Sequence, residues 1–298
     1  MTKTADLLLT NAIVLTMDEN YHQYEPGAVA IQGDSILVTG RYEDPSRKVI
    51  LARYTTDGVL DSTFGSGGRV ITTIPGEGMS IALHADGIVV GASVPDGMAV
   101  IRFTANGSRD TTFGTDGIAQ FAVPDPDPGT YTDLYAMAVD SHDDIVVAGM
   151  FSDGESGNYH YRLAVARFIG SDDFAGALDP SFGGGNGYIT FPPGLTDDYV
   201  AEAVAVDGDD NIVVAGYVES EGVTNLLVAR FDEWGNPDSS FNDLGYAADF
   251  PGAAHSVFIQ PDGKIVAAGA ITDQGSSPQT STIVIVRYLP DGTPGPDF

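Results

Sequence analysis

The sequence has no cysteine and very few cationic side chains, and both shortages exclude functions. Of its 298 residues, 42 are acidic and 13 basic, only three of the basic residues are lysine, and the net charge is −29. Without thiolates the chain cannot build a disulfide scaffold or a Cys-ligated zinc or iron–sulfur site. A surface of this charge repels a phosphate backbone, so we expect no nucleic-acid partner.

Long apolar runs and targeting signals are also missing. The longest apolar runs, such as Ala12–Leu15 and Ile283–Val286, fall far short of the roughly 20 residues that a membrane-spanning helix needs, so we expect no membrane span. Residues 1–20 hold one lysine, an interrupted leucine run and no small-residue cleavage site, which is unlike a signal peptide. At 43% hydrophobic residues, however, the chain can bury a sizeable core.

What the sequence does contain is an internal repeat. The tripeptide of Ala, Val or Ile, then arginine, then Phe or Tyr occurs five times, with its arginine at Arg53, Arg102, Arg167, Arg230 and Arg287 and spacings of 49, 65, 63 and 57 residues. Two short apolar runs separated by a polar turn precede each arginine, and a glycine-containing turn with a Phe follows the first four. Self-similarity at such spacing is typical of repeat architectures.

Each repeat reads as four short strands. In the fourth repeat we predict strands at Ala203–Val206, Ile212–Ala215, Leu226–Phe231 and around Tyr246–Phe250. Asp, Asn and Gly residues between them supply the positive φ values that tight hairpins require. No long window has a 3.6-residue apolar period, so helix should be nearly absent.

Five four-stranded repeats predict an all-β fold, a five-bladed β-propeller of antiparallel blades. The predicted single domain covers residues 1–298, with repeats at about 28–78, 79–134, 135–201, 202–253 and 254–298. Residues 1–27 are predicted to supply a closing strand, Ala12–Met17, which completes the last blade and removes its edge. We expect such a closed ring to be monomeric. A solenoid is the alternative, but it requires distinct polar caps.

Several motifs carry a family resemblance. Asp262–Gly269 (DGKIVAAG), Val228–Phe231 (VARF), and the Leu-Asp-x-Ser/Thr-Phe-Gly segments Leu60–Gly65 and Leu178–Gly183 resemble the delta-60 repeat family over residues 28–298. The resemblance implies a bacterial β-propeller, often in surface or secreted proteins, with no general activity. It therefore implies an extracellular or cell-surface location. Because residues 1–20 are unlike a signal peptide, we expect either a cytoplasmic protein or a leader removed ahead of this sequence.

The first segment carries a second resemblance. Ala5–Gly40 is similar to the N-terminal β-segment of amidohydrolases of the deaminase and chlorohydrolase type. In that family a metal-binding His-x-His follows, and no His-x-His occurs in this sequence. The resemblance therefore implies a shared β-segment without the catalytic barrel, and no amidohydrolase chemistry is expected.

Candidate site residues come from positions where the repeats differ. Just before the small residue of each predicted first strand stand Gly27, Met79, Tyr135, Glu202 and His255, and two residues earlier stand Glu25, Glu77, Asp133, Val200 and Ala253. In propellers these positions line one mouth of the central channel, by analogy of fold. We predict Tyr135, Glu202 and His255 as candidate catalytic residues and Glu25, Glu77 and Asp133 as ligand-binding residues. The alternative is a solvated acidic funnel without a ligand.

Insertions in the second to fourth repeats are expected to border the same mouth. They add three ligand-binding candidates, Tyr159, His160 and Asp198. Aromatic rings beside carboxylates suit a carbohydrate or a cation. The alternative is that the tyrosines only pack the loops and the aspartates only solvate them.

The sequence thus predicts a binding or surface scaffold module with a small molecule or carbohydrate as partner. The alternative is a hydrolase of esters or glycosides that uses Tyr135, Glu202 and His255. Crowded carboxylates raise one another's pKa and can supply an acid–base pair. No cofactor is assigned, and a divalent cation such as calcium is the alternative. Asp207–Asn211 and Asp140–Asp144 lack the spacing of an EF-hand, so we interpret them as hairpin turns.

The repeated arginines have a structural interpretation. An aspartate follows each of the first four, namely Asp61, Asp110, Asp179 and Asp238. We predict a buried arginine–carboxylate pair in each of the five repeats.

Overall fold

The computed structural model describes residues 7–15, 23–43, 46–84, 87–124, 131–153, 160–192, 197–273 and 280–296. The strands in these residues are β1 (Leu7–Leu15), β2 (Gln23–Gln32), β3 (Ser35–Glu43), β4 (Arg47–Thr55), β5 (Arg69–Pro75), β6 (Glu77–His84), β7 (Gly87–Val94), β8 (Gly97–Thr104), β9 (Ile118–Phe121), β10 (Thr132–Val139), β11 (Ile145–Asp153), β12 (His160–Phe168), β13 (Tyr188–Phe191), β14 (Asp198–Val206), β15 (Ile212–Ser220), β16 (Val223–Phe231), β17 (Tyr246–Pro251), β18 (Ala253–Ile259), β19 (Ile265–Asp273) and β20 (Thr280–Tyr288).

The strands form five sheets that follow one another along the chain. Their strand orders are β1-β2-β3-β4-β5, β6-β7-β8-β9, β10-β11-β12-β13, β14-β15-β16-β17 and β18-β19-β20. The only helical element in the described residues is a short 3₁₀ turn at Gly183–Gly185. The predictions of an all-β fold and of almost no helix are therefore confirmed.

The fourth repeat shows how closely local pattern specified the strands. Its four predicted strands lie within β14, β15, β16 and β17 respectively. All three strand pairs are antiparallel, and the β15–β16 pairing runs without a break from Ile212 opposite Phe231 to Ser220 opposite Val223. The observed strands are longer at the ends where the site residues lie, because cross-strand pairing continues beyond the apolar core positions.

The predicted role of the N-terminal strand is wrong for the residues described. β1 pairs antiparallel with β2, with Leu7 opposite Ile31 and Leu8 opposite Ala30, so it is the fifth strand of the first sheet. The last sheet has three strands among the described residues. β1 also packs beside β6 and β10. An apolar strand can bind any open sheet edge, and its sequence does not specify which edge.

The chain divides into two compact units. Unit 1 comprises Met1–Val123, Tyr131–Val147 and Phe168–Ala177, and unit 2 comprises Pro124–Thr130, Ala148–Arg167 and Leu178–Phe298. In unit 1, β6 packs on the face of β2, β3 and β4, and β10 packs on β6, β7 and β8. In unit 2, β18 packs in the same way on β14, β15 and β16. The single-domain organisation stays a prediction.

Within each unit, the first strand of one repeat covers the apolar face of the repeat before it. In unit 1 one core cluster joins Val49 and Leu51 of β4 to Ile81 of β6. In unit 2 another joins Leu226 and Val228 of β16 to Ala254, at the start of β18. Small residues allow this close approach, because a Cβ added at Gly91 would lie only 3.1 Å from the Leu134 side chain.

Among the residues described, none forms a helix long and apolar enough to cross a membrane.

The predicted arginine–carboxylate pairs are present in the first four repeats, largely buried in the third and partly exposed in the others. In the fifth repeat, Arg287 donates from Nη2 to the carbonyl oxygen of Pro296 at 2.9 Å. The Arg Nε to Asp Oδ2 distances are 2.8 Å for Arg53–Asp61, 2.8 Å for Arg102–Asp110, 2.7 Å for Arg167–Asp179 and 2.6 Å for Arg230–Asp238. Each guanidinium also lies over the ring of the repeat's phenylalanine, 4.6 to 5.1 Å from its centroid. These rings belong to Phe64, Phe113, Phe182 and Phe241 and are fully buried.

Three of these arginines also link their repeat to the next. Arg53, Arg102 and Arg167 donate from Nη1 to the carbonyl oxygens of Ala105, Gly170 and Glu233, at 2.7, 2.5 and 2.6 Å. Beside each contact, the backbone N–H after the buried phenylalanine donates to the same turn of the next repeat, as from Gly183 to Trp234 at 2.8 Å. One motif therefore builds both the corner of a repeat and its joint to the next.

Candidate functional site

The residues predicted from repeat divergence lie on β-bulges. The pairing register shifts between Gly78 and Ser80 in β6, between Ala201 and Ala203 in β14, and between Ala254 and Ser256 in β18. The residues at the shifts are therefore Met79, Glu202 and His255. A bulge inserts one extra residue into a strand and redirects its side chain, and bulges occur often beside active sites.

Two of the predicted catalytic residues are in contact. The Nδ1 atom of His255 and the Oε2 atom of Glu202 form a hydrogen bond between consecutive repeats of unit 2. The His255 side chain is 46% exposed and that of Glu202 is 17% exposed. The hydrogen bond with Glu202 raises the pKa of His255 and outweighs the opposing effect of burial. Glu202 therefore orients the imidazole of His255, which is partly exposed to solvent.

Tyr217 on β15 is a further member of this cluster. It lies opposite Val200, two residues before the Glu202 bulge. Burial, together with the nearby carboxylates of Glu202, Glu219 and Asp198, raises the pKa of Tyr217 to about 12. The phenol is therefore protonated at neutral pH and is a hydrogen-bond donor among carboxylate acceptors.

Asp198 connects this cluster to the third repeat. Its Oδ1 accepts a hydrogen bond from the backbone N–H of Tyr161 at 2.9 Å and lies 3.5 Å from Nδ1 of His160. The neighbouring Asp197 accepts a hydrogen bond from the Ser220 hydroxyl at 2.7 Å. The predicted ligand-binding residues His160 and Asp198 are thus together, at the ends of the strands where β14 begins and β15 ends.

Two other predicted ligand-binding residues form structural contacts in unit 1. Glu77 pairs with Arg41 and Arg47, each at 3.0 Å from its Oε1. Asp133 accepts a hydrogen bond from the Ser93 hydroxyl at 2.5 Å. Both contacts join consecutive repeats, so these carboxylates hold neighbouring repeats together.

The other three candidates, Tyr135, Glu25 and Tyr159, lie outside the unit that holds the Glu202–His255 contact or outside the described part of the chain. Tyr135 lies half-buried on β10 in unit 1, whereas Glu202 and His255 belong to unit 2. Glu25 lies in β2, and its side chain is outside the described part of the chain. Tyr159 lies outside the described residues. The roles predicted for these three residues stay predictions.

The sequence reasoning missed Tyr217 and Glu219. A signal for Tyr217 existed, because each repeat has a glycine in its second strand and the residue after it varies: Arg41, Ala92, Met150, Tyr217 and Ala270. In the first repeat this position supplies the arginine that pairs with Glu77. The divergent positions of the second strand thus meet those of the first strand of the next repeat.

The calcium-like loops are hairpin turns, as predicted. Asp207 Oδ1 accepts the backbone N–H groups of Asp209 and Asn211, each at 2.9 Å. Asp140 Oδ1 accepts those of His142 and Asp144 at the same distance. In each turn the aspartate side chain satisfies the turn's own backbone, as Asx-turns do.

Comparison with known proteins supports the class of fold. Residues 32–64, 84–113, 208–241 and 260–298 match a family model described as "Domain of unknown function (DUF5122) beta-propeller". Each matched segment covers the second and third strands of a repeat and the loop that ends near its phenylalanine. These four segments of the chain are therefore similar to the repeat of that family.

Two solved structures show distant likeness. The endo-arabinase from Bacteroides thetaiotaomicron VPI-5482 is 11% identical, with 97% of this chain and 97% of that chain covered and a TM-score of 0.40. The GH43 endo-arabinanase from Bacillus licheniformis is 11% identical, with 89% and 94% covered and a TM-score of 0.34. No curated protein matches the sequence.

Proposed function

We propose that this β-propeller protein is a binding module whose ligand binds at the cluster of Glu202, His255, Tyr217 and Asp198. One observation carries the proposal. Bulges in two consecutive first strands bring an imidazole and a carboxylate into contact at a partly exposed surface. A bulge that only ended strand pairing would not require complementary polar groups in two repeats.

The chemistry of the cluster defines the class of ligand. Glu202, Asp198 and Glu219 offer carboxylate acceptors, whereas the Tyr217 hydroxyl and the His255 ring offer donors. The tyrosine ring also provides an apolar face. Such a set suits a ligand with many hydroxyl groups or with a positive charge, so we propose a carbohydrate or an organic cation.

The test is calorimetric titration with a panel of neutral oligosaccharides and of quaternary ammonium compounds. We expect one class to bind the wild-type protein and the Glu202→Gln variant to bind it roughly tenfold more weakly, because a charge-assisted hydrogen bond is lost. Glu233→Gln is the matched control, since it removes the same charge in the turn beyond the opposite end of β16. Equal binding by wild type and Glu202→Gln would refute the site.

A hydrolase is the second candidate function, favoured by the Glu202–His255 hydrogen bond. A carboxylate bound to one ring nitrogen fixes the tautomer of the imidazole and leaves the other nitrogen available for proton transfer. Glu202 and His255 are then a positioned acid–base pair that activates water against an ester or a glycosidic bond. Tyr135 belongs to this proposal as the third predicted catalytic residue, and a divalent cation as its cofactor.

Turnover of an ester and glycoside panel, with and without a chelator, tests the second function. We expect hydrolysis by the wild type to fall at least about a hundredfold in His255→Ala, because general acid–base catalysis is lost. Activity that is unchanged in both Glu202→Gln and His255→Ala would remove the hydrolase proposal. Loss of activity on chelation alone would assign the chemistry to the metal.

The finer assignments from the sequence are proposals of the same kind. We propose that the five repeats form one ring, because five successive sheets carry the same motif. We also propose that the chain is related to the delta-60 repeat family and that residues 5–40 are related to the β-segment of amidohydrolases. We propose an extracellular or cell-surface location for the protein.

A further inference from the structure

The contact between the second and third repeats carries an insertion. The repeated arginine and its aspartate are 8 residues apart in the first, second and fourth repeats and 12 apart in the third, so the third repeat has four extra residues in the turn between them. The turn, Phe168–Ala177, and strands β6 to β8 of the second repeat belong to the same unit, unit 1.

The inserted residues lie between two contacts that hold the repeats together. Between the first and second repeats, the two backbone acceptors are neighbours in sequence, Ala105 and Asn106. Between the second and third repeats they are Gly170 and Ala175, which accept the same two kinds of hydrogen bond at 2.5 and 2.8 Å. Packing of the repeats therefore does not require Ser171–Phe174, and a loop that packing does not require is a common place for function.

The inserted loop is held in place at both of its ends. The backbone N–H of Ala175 donates to the carbonyl oxygen of Asp172 at 3.2 Å. Gly170 lies so close to the second repeat that an added Cβ would be 2.7 Å from Nε2 of His84. The loop is therefore a fixed wall, and a fixed wall lowers the entropy cost of binding a ligand.

A cavity of about 380 Å³ lies beside this loop, whereas the cavity at the contact between the first and second repeats has about 80 Å³. The larger volume falls within the range of roughly 300–1,000 Å³ that is typical of small-molecule sites. Among the described residues, its only apolar side chain belongs to Ala175, and the polar ones include His84, Arg102, Asp110, Thr112, Ser171 and Asp172. The smaller cavity is lined in part by leucine and isoleucine. We call the larger one the loop cavity.

His84 brings a hydrogen-bond acceptor to the loop cavity. Its Nε2 lies 2.9 Å from the carbonyl oxygen of Asp143, and the side chain is buried. Because a carbonyl oxygen only accepts, Nε2 carries the proton, and Nδ1 of the neutral ring is an acceptor. No other repeat has histidine at this position, which is occupied by Gln32, Asp140, Asp207 and Gln260. The second repeat therefore differs from the others on the side of the cavity that faces the insertion.

Arg102 and Asp110 bring a donor and an acceptor to the loop cavity side by side. Nε of Arg102 donates to Oδ2 of Asp110 at 2.8 Å, and two further N–H groups bind Thr112 and Gly170. These bonds use three of the five N–H groups of the guanidinium. Asp110 balances the charge of Arg102, and Asp172 adds a negative charge on a chain of net charge −29, so the cavity disfavours an anion.

We propose that the loop cavity binds a neutral polyhydroxylated ligand of monosaccharide size. A hydroxyl group donates and accepts at once, so it can accept from Arg102 and donate to His84 or Asp172. Among the described residues, no aromatic ring lines the cavity, so it lacks the surface that usually holds an organic cation. The loop cavity shares no residue with the Glu202 cluster of unit 2, so either site can exist without the other.

Calorimetric titration with a panel of hexoses, pentoses and inositol tests the site. We expect at least one member of the panel to bind the wild type, and Asp172→Asn to bind it roughly tenfold more weakly because a charge-assisted hydrogen bond is lost. The matched control is Asp173→Asn, which removes the same charge from the neighbouring exposed residue outside the cavity lining and should bind like the wild type.

Deletion of residues 171–174 gives a second variant. It restores the 8-residue spacing of the second repeat, so we expect a folded protein that no longer binds the sugar. A thermal melt shows whether the deletion variant folds, and Asp172→Asn decides the question if it does not.

The proposal is overturned if no member of the panel binds, or if Asp172→Asn and the deletion variant bind like the wild type. Loss of sugar binding in Glu202→Gln together with normal binding in Asp172→Asn would also overturn it, and would assign the sugar to the proposed site in unit 2. Loss in Asp172→Asn with normal binding in Glu202→Gln supports the loop cavity whether or not the Glu202 cluster binds a ligand.

Discussion

Arg167 and Asp179 form a double contact in which Nε and Nη2 of the arginine bind one carboxylate oxygen, at 2.7 and 2.6 Å. The aspartate's other oxygen accepts the backbone N–H of Ser181 at 2.8 Å. Nη1 of Arg167 donates to the carbonyl oxygen of Glu233, and the guanidinium lies over the ring of Phe182. These contacts together fix the position of the guanidinium. The same arginine–aspartate contact recurs in four repeats.

Removal of one partner of this pair should be costly. Arg167→Ala leaves a largely buried carboxylate without its charge partner, since the two side chains are 8% and 10% exposed. We expect the free energy of unfolding to fall by about 3 kcal/mol. Arg47→Ala is the control, because that side chain is 62% exposed and its ion pairs contribute at most about 1 kcal/mol. Equal urea midpoints for the two variants would contradict the structural role of the pair.

The same contacts predict loss of stability in acid. Burial raises the pKa of Asp179, but the hydrogen bonds from Ser181 and the Arg167 guanidinium prevail, and the net pKa is lowered. A lowered folded-state pKa contributes stability that is present above the unfolded value, about 3.9, and is lost as pH falls through the folded value. Urea midpoints measured from pH 7 to pH 3 should therefore fall below about pH 4. The fall should be shallower in Asp179→Asn, and identical slopes would count against this assignment.

The contact between the third and fourth repeats predicts that alanine substitutions at two glycines differ in their effect on stability. Gly235 has φ +84°, and an added Cβ would lie 2.8 Å from the buried Phe182 ring. Gly235→Ala should cost more than about 1 kcal/mol, from both backbone strain and the clash. Gly208→Ala is the control, because no atom lies within 4 Å of its added Cβ. A thermal melt that fails to separate the two variants would show that the joint is not tightly packed.

The His255–Glu202 contact predicts a measurable titration. The hydrogen bond raises the pKa of His255, so the imidazole should titrate above its ordinary value of about 6.5. Stability from this contact is present at pH values below the ordinary value and is lost as pH rises through the raised one. Histidine ring resonances followed by NMR should show this, and Glu202→Gln should return His255 towards its ordinary value. No difference between the two proteins would place Glu202 outside hydrogen-bond reach.

The periodic features of the molecule were readable without the structure. Strand positions in the fourth repeat, near absence of helix, and the Arg53–Asp61 type of pair all depend on residues within one repeat. Local pattern and turn chemistry determine such features, and repetition strengthens the signal because each repeat confirms the others. The candidate site was partly readable, since divergence between repeats picked out both Glu202 and His255.

Long-range choices were decided only by the tertiary structure. β1 binds β2 rather than completing the last sheet, because an apolar strand carries no mark of which edge it will join. The sequence could not show that Arg41 neutralises Glu77, or that Tyr217 stands among carboxylates. The Arg41–Glu77 contact depends on packing between repeats, and the whole chain determines that packing, whereas the pattern within one repeat determines only its own strands and turns.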